Sequence, residues 1–310
     1  MPNAVQLVRT SSAPQSRRAT TTDPYWLIAK YKMPSAAFAA LRYNPSPAMP
    51  EMVHVRGAMQ IRPGIEVAGL SDVGCQRKNN EDHYSYWEPA SEEEFRRKGR
   101  LAMVADGMGG YEGGQEASRI AVETVEEVYA STLHDDPRAL LSAGFRAAHQ
   151  RIQEQASKNQ ELHGMGTTCT AIALLGNSLH FAHVGDSRLY LVRHGSISAL
   201  TRDHSYVNRL VEDGILSAEE AESHPQRHIL TAALGSGAEV FPEMSSEPMV
   251  LAKDDVLVLC TDGLWGVVAE SELKTAVARP PLQACKDLVA LAKQRGGPDN
   301  ITVQVLKLST

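Results

Sequence analysis

The sequence predicts an α+β fold, in which neighbouring strands are joined by tight hairpins and helices are inserted in pairs. Two dipeptides, Gly176-Asn177 and His194-Gly195, each separate two apolar runs, which is typical of a two-residue hairpin turn. Two stretches with helical periodicity follow one another directly, with no strand pattern between them. Hairpin-connected strands and paired helices favour α+β over a doubly wound parallel sheet, where strands and helices alternate.

Short apolar runs that end at glycine or at polar residues predict the strands. Apolar residues that recur every three or four positions predict the helices. Pro137 suits the first position of the second helix, and Gly296-Gly297 ends the last one. The predicted strands are residues 65–70, 101–105, 169–175, 178–184, 188–193, 255–260 and 301–306, and the predicted helices are residues 114–130, 137–157, 270–278 and 282–294.

The segment from about residue 205 to 224 is predicted to be a small helical flap. A short amphipathic helix is stopped by Gly214, and Ser217-Ala218-Glu219-Glu220 has the sequence of a capping box that begins a second helix. Because this insert lies between two of the motifs described below, we expect it beside the functional site. An ordinary pair of surface helices would give the same pattern.

Composition indicates a soluble globular protein. The chain has 310 residues, 43% of them hydrophobic, and a mean hydropathy of −0.27. No apolar stretch reaches the roughly 18 residues of a transmembrane helix, and the N-terminal region lacks the apolar core of a secretion signal. The four cysteines include no Cys-x-x-Cys pair, so a zinc site or a disulfide framework has little support and we expect a reducing cytoplasm.

Charge divides the chain into two parts. Residues 1–64 hold eight Lys or Arg against two Asp or Glu, and the whole chain has a net charge of −6, so the remainder carries about −12. Such an acidic body argues against a nucleic-acid binder. Residues 1–60 are rich in Pro, Ser, Thr and Ala, which predicts a flexible extension; apolar residues at 25–28 and 36–41 leave a docking segment as the alternative. The folded domain is predicted to span residues 61–310.

Carboxylates stand at strand ends beside glycine in this acidic body. Asp106 follows a predicted strand and precedes Gly107, and Asp262 precedes Gly263 in the same way. A single Asp-Gly after a strand is usually only a turn. That explanation weakens when several such acids recur, because crowded carboxylates repel one another unless a hard divalent cation holds them. The acids in question are Glu81, Asp106, Asp186, Asp262 and Asp299.

Ligation by oxygen alone selects Mg²⁺ or Mn²⁺ rather than Zn²⁺. Two such ions about 3.5–4 Å apart can share a water, lower its pKa and clamp a phosphoryl group for in-line attack. Arg77 could recognise the phosphate with its planar guanidinium, although taken alone it could equally form a surface ion pair. The sequence contains no His-Glu-x-x-His, no Gly-x-Ser-x-Gly and no Gly-x-x-x-x-Gly-Lys-[Ser/Thr] motif.

Eight motifs in register make the chain resemble the metal-dependent protein phosphatases of type 2C (the PPM type), in the bacterial Ser/Thr phosphatase branch. Each motif is weak alone, but their common order from about residue 65 to 306 is specific. The motifs are Gly74-x-x-Arg77-x-x-Asn80-Glu81-Asp82, Val104-Ala105-Asp106-Gly107-Met108-Gly109-Gly110, Gly166-Thr167-Thr168, Val184-Gly185-Asp186-Ser187-Arg188, Leu200-Thr201-Arg202-Asp203-His204-Ser205, His224-Pro225 through Leu234-Gly235, Thr261-Asp262-Gly263-Leu264 and Asp299-Asn300-Ile301-Thr302.

The resemblance implies a central antiparallel β-sandwich flanked by helix pairs, in αββα layers, with two Mn²⁺ or Mg²⁺ ions at one end. It implies that Asp106 bridges both ions and that the Gly107 carbonyl completes one of them. Asp262 and Asp299 would hold the other ion. Residues 61–310 would then be the phosphatase catalytic domain.

Further roles are implied for four residues outside this core. Glu81 and Asp82 would orient waters bound to the metals, with Glu81 belonging to the metal site. Asp186 would join Asp262 in the third metal position that bacterial relatives have, and Arg77 would hold the phosphate. Many eukaryotic relatives carry a histidine where this chain has Met108, which cannot donate a proton.

The implied activity is hydrolysis of phosphoserine and phosphothreonine in proteins, by a metal-bound water attacking phosphorus in line. Implied partners are phosphorylated proteins, together with a Ser/Thr protein kinase and its substrates, and we expect a cytoplasmic monomer without nucleic-acid or membrane partners. Two alternatives are a hydrolase of small phosphate esters and a non-catalytic phosphoprotein-binding module. The second would be favoured by loss of a core ligand, and every core ligand is present.

Overall fold

The computed structural model describes residues 28–29, 62–109, 112–237 and 239–309; the predicted extension otherwise lies outside the described residues. The strands are β1 (Ile28–Ala29), β2 (Ile65–Asp72), β3 (Asp82–Trp87), β4 (Arg100–Met108), β5 (Gly166–Thr167), β6 (Cys169–Leu175), β7 (Ser178–Val184), β8 (Arg188–Arg193), β9 (Ser196–Ala199), β10 (Ile229–Leu230), β11 (Glu243–Met244), β12 (Met249–Val250), β13 (Val256–Cys260) and β14 (Ile301–Leu308). The helices are α1 (Glu92–Lys98), α2 (Gly113–Ser131), α3 (Pro137–Lys158), α4 (Tyr206–Glu212), α5 (Ala218–Ser223), α6 (Asp262–Trp265), α7 (Glu270–Ala276) and α8 (Pro281–Gln294), with a 3₁₀ turn at Gln160–Leu162.

Two antiparallel sheets form the centre of the fold. The first has the order β11-β7-β6-β4-β3, with β12 also pairing with β7 and β5 with β4. The second has the order β2-β14-β13-β8-β9. Every ladder in both sheets is antiparallel, which confirms the prediction of hairpin-connected strands.

Alternation along the strands separates three apolar layers. In β4, Ala102 and Val104 face the second sheet, whereas Leu101 and Met103 face the helices. Helices α2 and α3 cover the first sheet, and α7 and α8 cover the second. This αββα arrangement confirms the α+β sandwich that the motifs implied. The core between the sheets includes Ile172, Leu174, Leu179, Leu189, Leu191, Leu257, Leu259 and Leu306.

Local sequence signals explain several connections. His194 and Gly195 have φ values of 49° and 75°, as a hairpin turn of type I′ requires. Ser217 and Glu220 form the predicted capping box at the start of α5. The structure also contains β3 and α1, which are absent from the predicted elements. Strand β3 was hidden by its polar composition, although its aromatic side chains Tyr84 and Tyr86 alternate toward the core between the sheets.

Strand β1 of the N-terminal extension pairs antiparallel with β10, with Ile28 opposite Leu230 and Ala29 opposite Ile229. On its other side, Leu230 forms a bridge with Ser205, the residue that caps α4. The extension therefore pairs with the strand that also bridges to Ser205, the first residue of the segment that the sequence predicts to be a flap. None of the helices in the described ranges combines the length and apolar character of a membrane span.

Candidate active site

Carboxylates from both sheets meet at one end of the sandwich. Asp82 at the start of β3 is the direct cross-strand partner of Asp106 in β4. Asp262 follows β13, and Asp299 lies two residues before β14, which pairs with β13. The Thr261 hydroxyl donates to Oδ2 of Asp82 at 2.8 Å and so joins the two sheets. The fold thus brings together four of the predicted site acids.

Asp82 shows how costly this crowding is without a cation. Burial, with a smaller contribution from the charges of Asp299 and Asp262, raises the pKa of Asp82 to about 7, although hydrogen bonds from Thr302 and Thr261 oppose the shift. Its Oδ1 is buried and, within the described part of the chain, accepts no hydrogen bond. A buried carboxylate oxygen in an oxygen-only environment fits a hard divalent cation.

The backbone of Asp106 is fixed by the Gly-Thr-Thr motif. Its N–H donates to Oγ1 of Thr168 at 2.9 Å, and its carbonyl accepts from the Thr168 N–H and from the Thr167 hydroxyl, both at 2.9 Å. These bonds hold the main chain and leave the Asp106 carboxylate to face the other acids. The motif is therefore structural support for the site.

Gly107, Gly114 and Glu81 share one confined space. A Cβ atom on Gly107 would stand 1.9 Å from the Gly114 carbonyl oxygen, and one on Gly114 would stand 2.2 Å from Oε2 of Glu81. The Gly107 N–H also donates to the Glu81 carbonyl at 3.1 Å. Close approach of the β4 end to α2 therefore requires both glycines, and it places the Glu81 carboxylate against the first turn of α2.

Arg77 lies among the acids. Its Nη2 donates to Oδ2 of Asp299 at 2.8 Å, and 41% of its side chain remains exposed. Burial alone would lower the pKa of Arg77, but the carboxylates of Asp299, Glu81 and Asp106 hold it above its usual value. A guanidinium within reach of three site acids and open to solvent can receive an anionic group of a substrate.

Asn300 lies in the site, although its position in the sequence predicts no role for it. Its Oδ1 accepts from the Glu81 N–H at 2.8 Å, and its Nδ2 donates to the carbonyls of Val73 and Asn79 at 2.9 Å each. The side chain thus fastens both ends of the loop that carries Arg77. The signal was available, because Asn300 follows Asp299 directly in the last motif.

Asp186 is buried beside α6. Its carbonyl accepts from Nε1 of Trp265 at 2.9 Å, and Trp265 ends the helix that Asp262 begins. A Cβ atom on Gly263 would stand 1.9 Å from the Asn300 carbonyl oxygen, so glycine is needed where this helix approaches Asp299 and Asn300. Asp186 is thus connected through the Trp265 side chain to the helix that Asp262 begins.

Among the described residues, one group of three potential metal ligands has its atoms within 4.8 Å of one another, and it contains none of these acids: His183, His204 and Glu243. Nδ1 of His204 accepts from the Gly185 N–H at 3.2 Å, which leaves the ring proton on Nε2, toward Glu243. Nε2 of His183 contacts the Arg202 carbonyl at 3.1 Å and must therefore carry a proton. Because both rings are occupied by backbone partners, we interpret the group as structural.

The buried His183 predicts a pH dependence of stability. Burial, aided by the neighbouring His204, lowers the pKa of His183 to about 3, so the unfolded chain takes up a proton near pH 6.5 that the folded chain excludes. Stability should therefore fall as pH decreases below 6.5, by up to about 1.4 kcal/mol per pH unit from this group. Urea unfolding of wild type and His183→Gln between pH 7.5 and 5 measures the difference, with exposed His163→Gln as control. Parallel losses in wild type and His183→Gln would contradict the assignment.

Acids and an arginine gathered at one end of a two-sheet sandwich are the groups that a metal-dependent phosphoryl-transfer enzyme uses. A sequence model described as protein phosphatase 2C matches residues 78–287. The protein phosphatase PhpP of Streptococcus pneumoniae serotype 2 (strain D39) is 35% identical over 251 residues, which cover 79% of this chain and 98% of that protein. The chain belongs to the protein phosphatase 2C family, as its motifs predicted.

Solved structures of protein phosphatases resemble this chain in fold and sequence. This chain is 37% identical in sequence to the Mycobacterium tuberculosis serine/threonine phosphatase PstP/Ppp, and it matches the crystal structure of that protein with a TM-score of 0.71. The match covers 80% of this chain and 100% of the other. The catalytic domain of the phosphatase PstP in complex with two manganese ions is 34% identical with a TM-score of 0.68, over 80% of this chain and 99% of that one. These similarities confirm the predicted fold class.

Proposed function

We propose that this chain is a metal-dependent protein phosphatase that hydrolyses phosphoserine and phosphothreonine in proteins. The observation that carries the proposal is the meeting of acids from both sheets around the buried Asp82, with Arg77 held among three of them. The named relatives support it, because each is a protein phosphatase or a serine/threonine phosphatase by name.

The residues present fit two divalent cations. We assign the Asp106 carboxylate to both ions and the Gly107 carbonyl to the first ion. Asp262 and Asp299 are assigned to the second ion. Mn²⁺ or Mg²⁺ bound there would supply an activated water and charge neutralisation at the phosphate. A third ion between Asp186 and Asp262, and Mg²⁺ in place of Mn²⁺, belong to the same proposal.

The protein's own groups then divide the remaining work. Glu81 and the buried Asp82 would orient the attacking water by accepting hydrogen bonds from it, and Thr261 holds Asp82 in place. Arg77 exchanges its ion pair with Asp299 for the phosphate oxygens of the substrate. Met108, buried against Leu230 and Ala233, offers no proton to the leaving oxygen.

The proposal is tested by measuring phosphate release from a phosphothreonine peptide with and without Mn²⁺. We expect turnover with Mn²⁺ and none in excess chelator. Turnover of p-nitrophenyl phosphate but not of the peptide would favour the small-ester alternative. Peptide binding without turnover would favour the phosphoprotein-binding module.

Arg77→Ala is expected to raise KM for the phosphopeptide about 10- to 100-fold, because one or two charge-assisted hydrogen bonds to the phosphate are lost. Steady-state kinetics at saturating Mn²⁺ measures the effect. Arg279→Ala is the matched control, since Arg279 forms an exposed ion pair with Asp287 on α8. An unchanged KM in Arg77→Ala would remove the role assigned to this residue.

We also propose that the catalytic domain begins close to residue 61 and that residues 1–60 are an extension. Arg62 supports this boundary, because its backbone N–H donates to Glu88 at 2.8 Å and its guanidinium donates to the carbonyls of Pro89 and Ala90. The pairing of β1 with β10 favours docking over a flexible tail. Deletion of residues 1–60 is expected to leave Mn²⁺-dependent peptide hydrolysis intact; loss of soluble folded protein would place the extension within the domain.

The expected partners follow from the substrate class. Phosphorylated proteins would be the substrates, and the Ser/Thr kinase that phosphorylates them would act in opposition. The segment 205–224 would serve as a flap beside the bound phosphoprotein, since its first residue bridges to Leu230, which packs on Met108 next to Gly107. A monomeric, cytoplasmic protein completes the proposal.

A further inference from the structure

The two ends of β8 carry similar arginine–aspartate pairs. Arg188 donates from Nε and Nη2 to the two carboxylate oxygens of Asp203, at 2.9 and 2.7 Å. Arg193, at the far end of the strand, donates in the same way to Asp255, at 2.9 and 2.5 Å. Only the first pair lies beside the acids, because Arg188 follows Asp186 by two residues. Arg193 therefore serves as a comparison for Arg188, because the two arginines have the same kind of ion pair but only Arg188 lies close to a site acid in sequence.

Arg188 also contacts the helix that carries Asp262. Its guanidinium carbon lies 3.6 Å from the centroid of the Trp265 ring, and its Nη1 donates to the Tyr190 hydroxyl at 3.0 Å. All three guanidinium nitrogens thus have partners, and the flat face rests on the indole. With its charge balanced by Asp203, the group can approach a cation site at small electrostatic cost.

Trp265, on which Arg188 stacks, also contacts the main chain at Asp186. Its indole N–H donates to the Asp186 carbonyl at 2.9 Å, and it lies one turn after Asp262 in α6. The stacked pair therefore fixes the separation between the main chain at Asp186 and the helix of Asp262.

Asp203 ties the same unit to the start of the flap. Its carbonyl accepts from Nδ2 of Asn208 in α4 at 2.9 Å. The neighbouring His204 N–H donates to the Gly185 carbonyl at 2.7 Å, so the two backbone segments also bind directly. Arg188 thus contacts both Asp203, two residues before the flap, and Trp265 in α6.

We infer that Arg188 is a positioning residue that, through Trp265, sets the separation of Asp186 and Asp262 and thereby the affinity of the third cation site. The inference rests on the proposed function, which assigns a cation to these two acids. Loss of a residue that supports metal ligands costs about 10- to 100-fold in metal affinity. Lysine keeps the charge of Arg188 but loses the planar fork and the stacked face.

Calorimetric titration of metal-free full-length protein with Mn²⁺ tests this without relying on activity. Wild type is expected to show a tight phase and a weak phase, and Asp186→Ala to lose the weak phase, which assigns it. Arg188→Lys and Trp265→Phe are expected to raise Kd of the weak phase about 10-fold or more and to leave the tight phase unchanged. Arg193→Lys, the matched control on the same strand, should change neither phase.

Activity provides a second readout. Turnover of a phosphothreonine peptide by Arg188→Lys should be lower than wild type at limiting Mn²⁺ and recover at excess Mn²⁺. Thermal unfolding of the metal-free proteins should give Arg188→Lys and the control Arg193→Lys similar stabilities, which a loss of activity through instability would not. An unchanged weak-phase Kd in both Arg188→Lys and Trp265→Phe would overturn the inference while wild-type activity still upheld the phosphatase. If wild type shows no weak phase, or if Asp186→Ala keeps it, the third cation site is overturned and this inference with it.

Discussion

Replacing Asp106 by asparagine is expected to lower kcat for Mn²⁺-dependent phosphopeptide hydrolysis by about 10³-fold or more, because the carboxylate assigned to both ions loses its charge. The variant should still fold. The bonds that fix this position use the Asp106 backbone, together with Thr167 and Thr168, and asparagine keeps both the backbone and the shape. Removing one charge from the crowded acids should also relieve repulsion in the metal-free protein.

Thermal unfolding with and without Mn²⁺ separates these effects. Wild type should gain stability on adding Mn²⁺, because a cation that binds the folded state stabilises it. Asp106→Asn should match or exceed wild type without metal and gain less with it. Asp287→Asn, at an exposed ion pair on α8, is the control and should behave as wild type. Near-wild-type turnover by Asp106→Asn, or by wild type in excess chelator, would contradict the metal mechanism.

Much of the fold could be predicted because strand and helix periodicity is local. The hairpin at His194-Gly195 and the capping box at Ser217 depend on residues that are adjacent or three apart, and both are present in the structure. Strand β3 could not be predicted from apolar runs, since its burial depends on Tyr84 and Tyr86 reaching a sheet formed by distant segments. Local pattern therefore finds elements that are apolar by themselves.

The acids of the site were predicted from their neighbours, but the residues that hold them were not. Thr168, Trp265 and Asn300 act through hydrogen bonds to backbone atoms that lie far away in sequence. Such bonds carry no local signature, since any threonine, tryptophan or asparagine could donate or accept elsewhere. The motifs contain Thr168 and Asn300, so their positions were visible while their partners were not.

Asn300→Ala is expected to lower the free energy of unfolding by about 3 kcal/mol, because three hydrogen bonds of a buried amide are lost. It should also lower kcat by about 10²-fold, since release of the loop ends displaces Arg77 and Glu81. Urea unfolding and steady-state kinetics at saturating Mn²⁺ measure the two effects. Gln304→Ala is the matched control, because Gln304 is a buried amide in β14, the strand that follows Asn300, and donates to the Ser85 carbonyl. This variant should lose stability and keep the wild-type kcat.

Asn300→Asp separates the contribution of the Asn300 side-chain N–H donors from that of its side-chain oxygen acceptor. The aspartate keeps an oxygen for the Glu81 N–H but turns a carboxylate toward the carbonyls of Val73 and Asn79, which need donors. We therefore expect Asn300→Asp to be at least as damaging to stability and kcat as Asn300→Ala, because like-polarity oxygens then face each other in a buried position. A variant with wild-type kcat would show that the Glu81 contact alone is sufficient and that the loop ends need no donor.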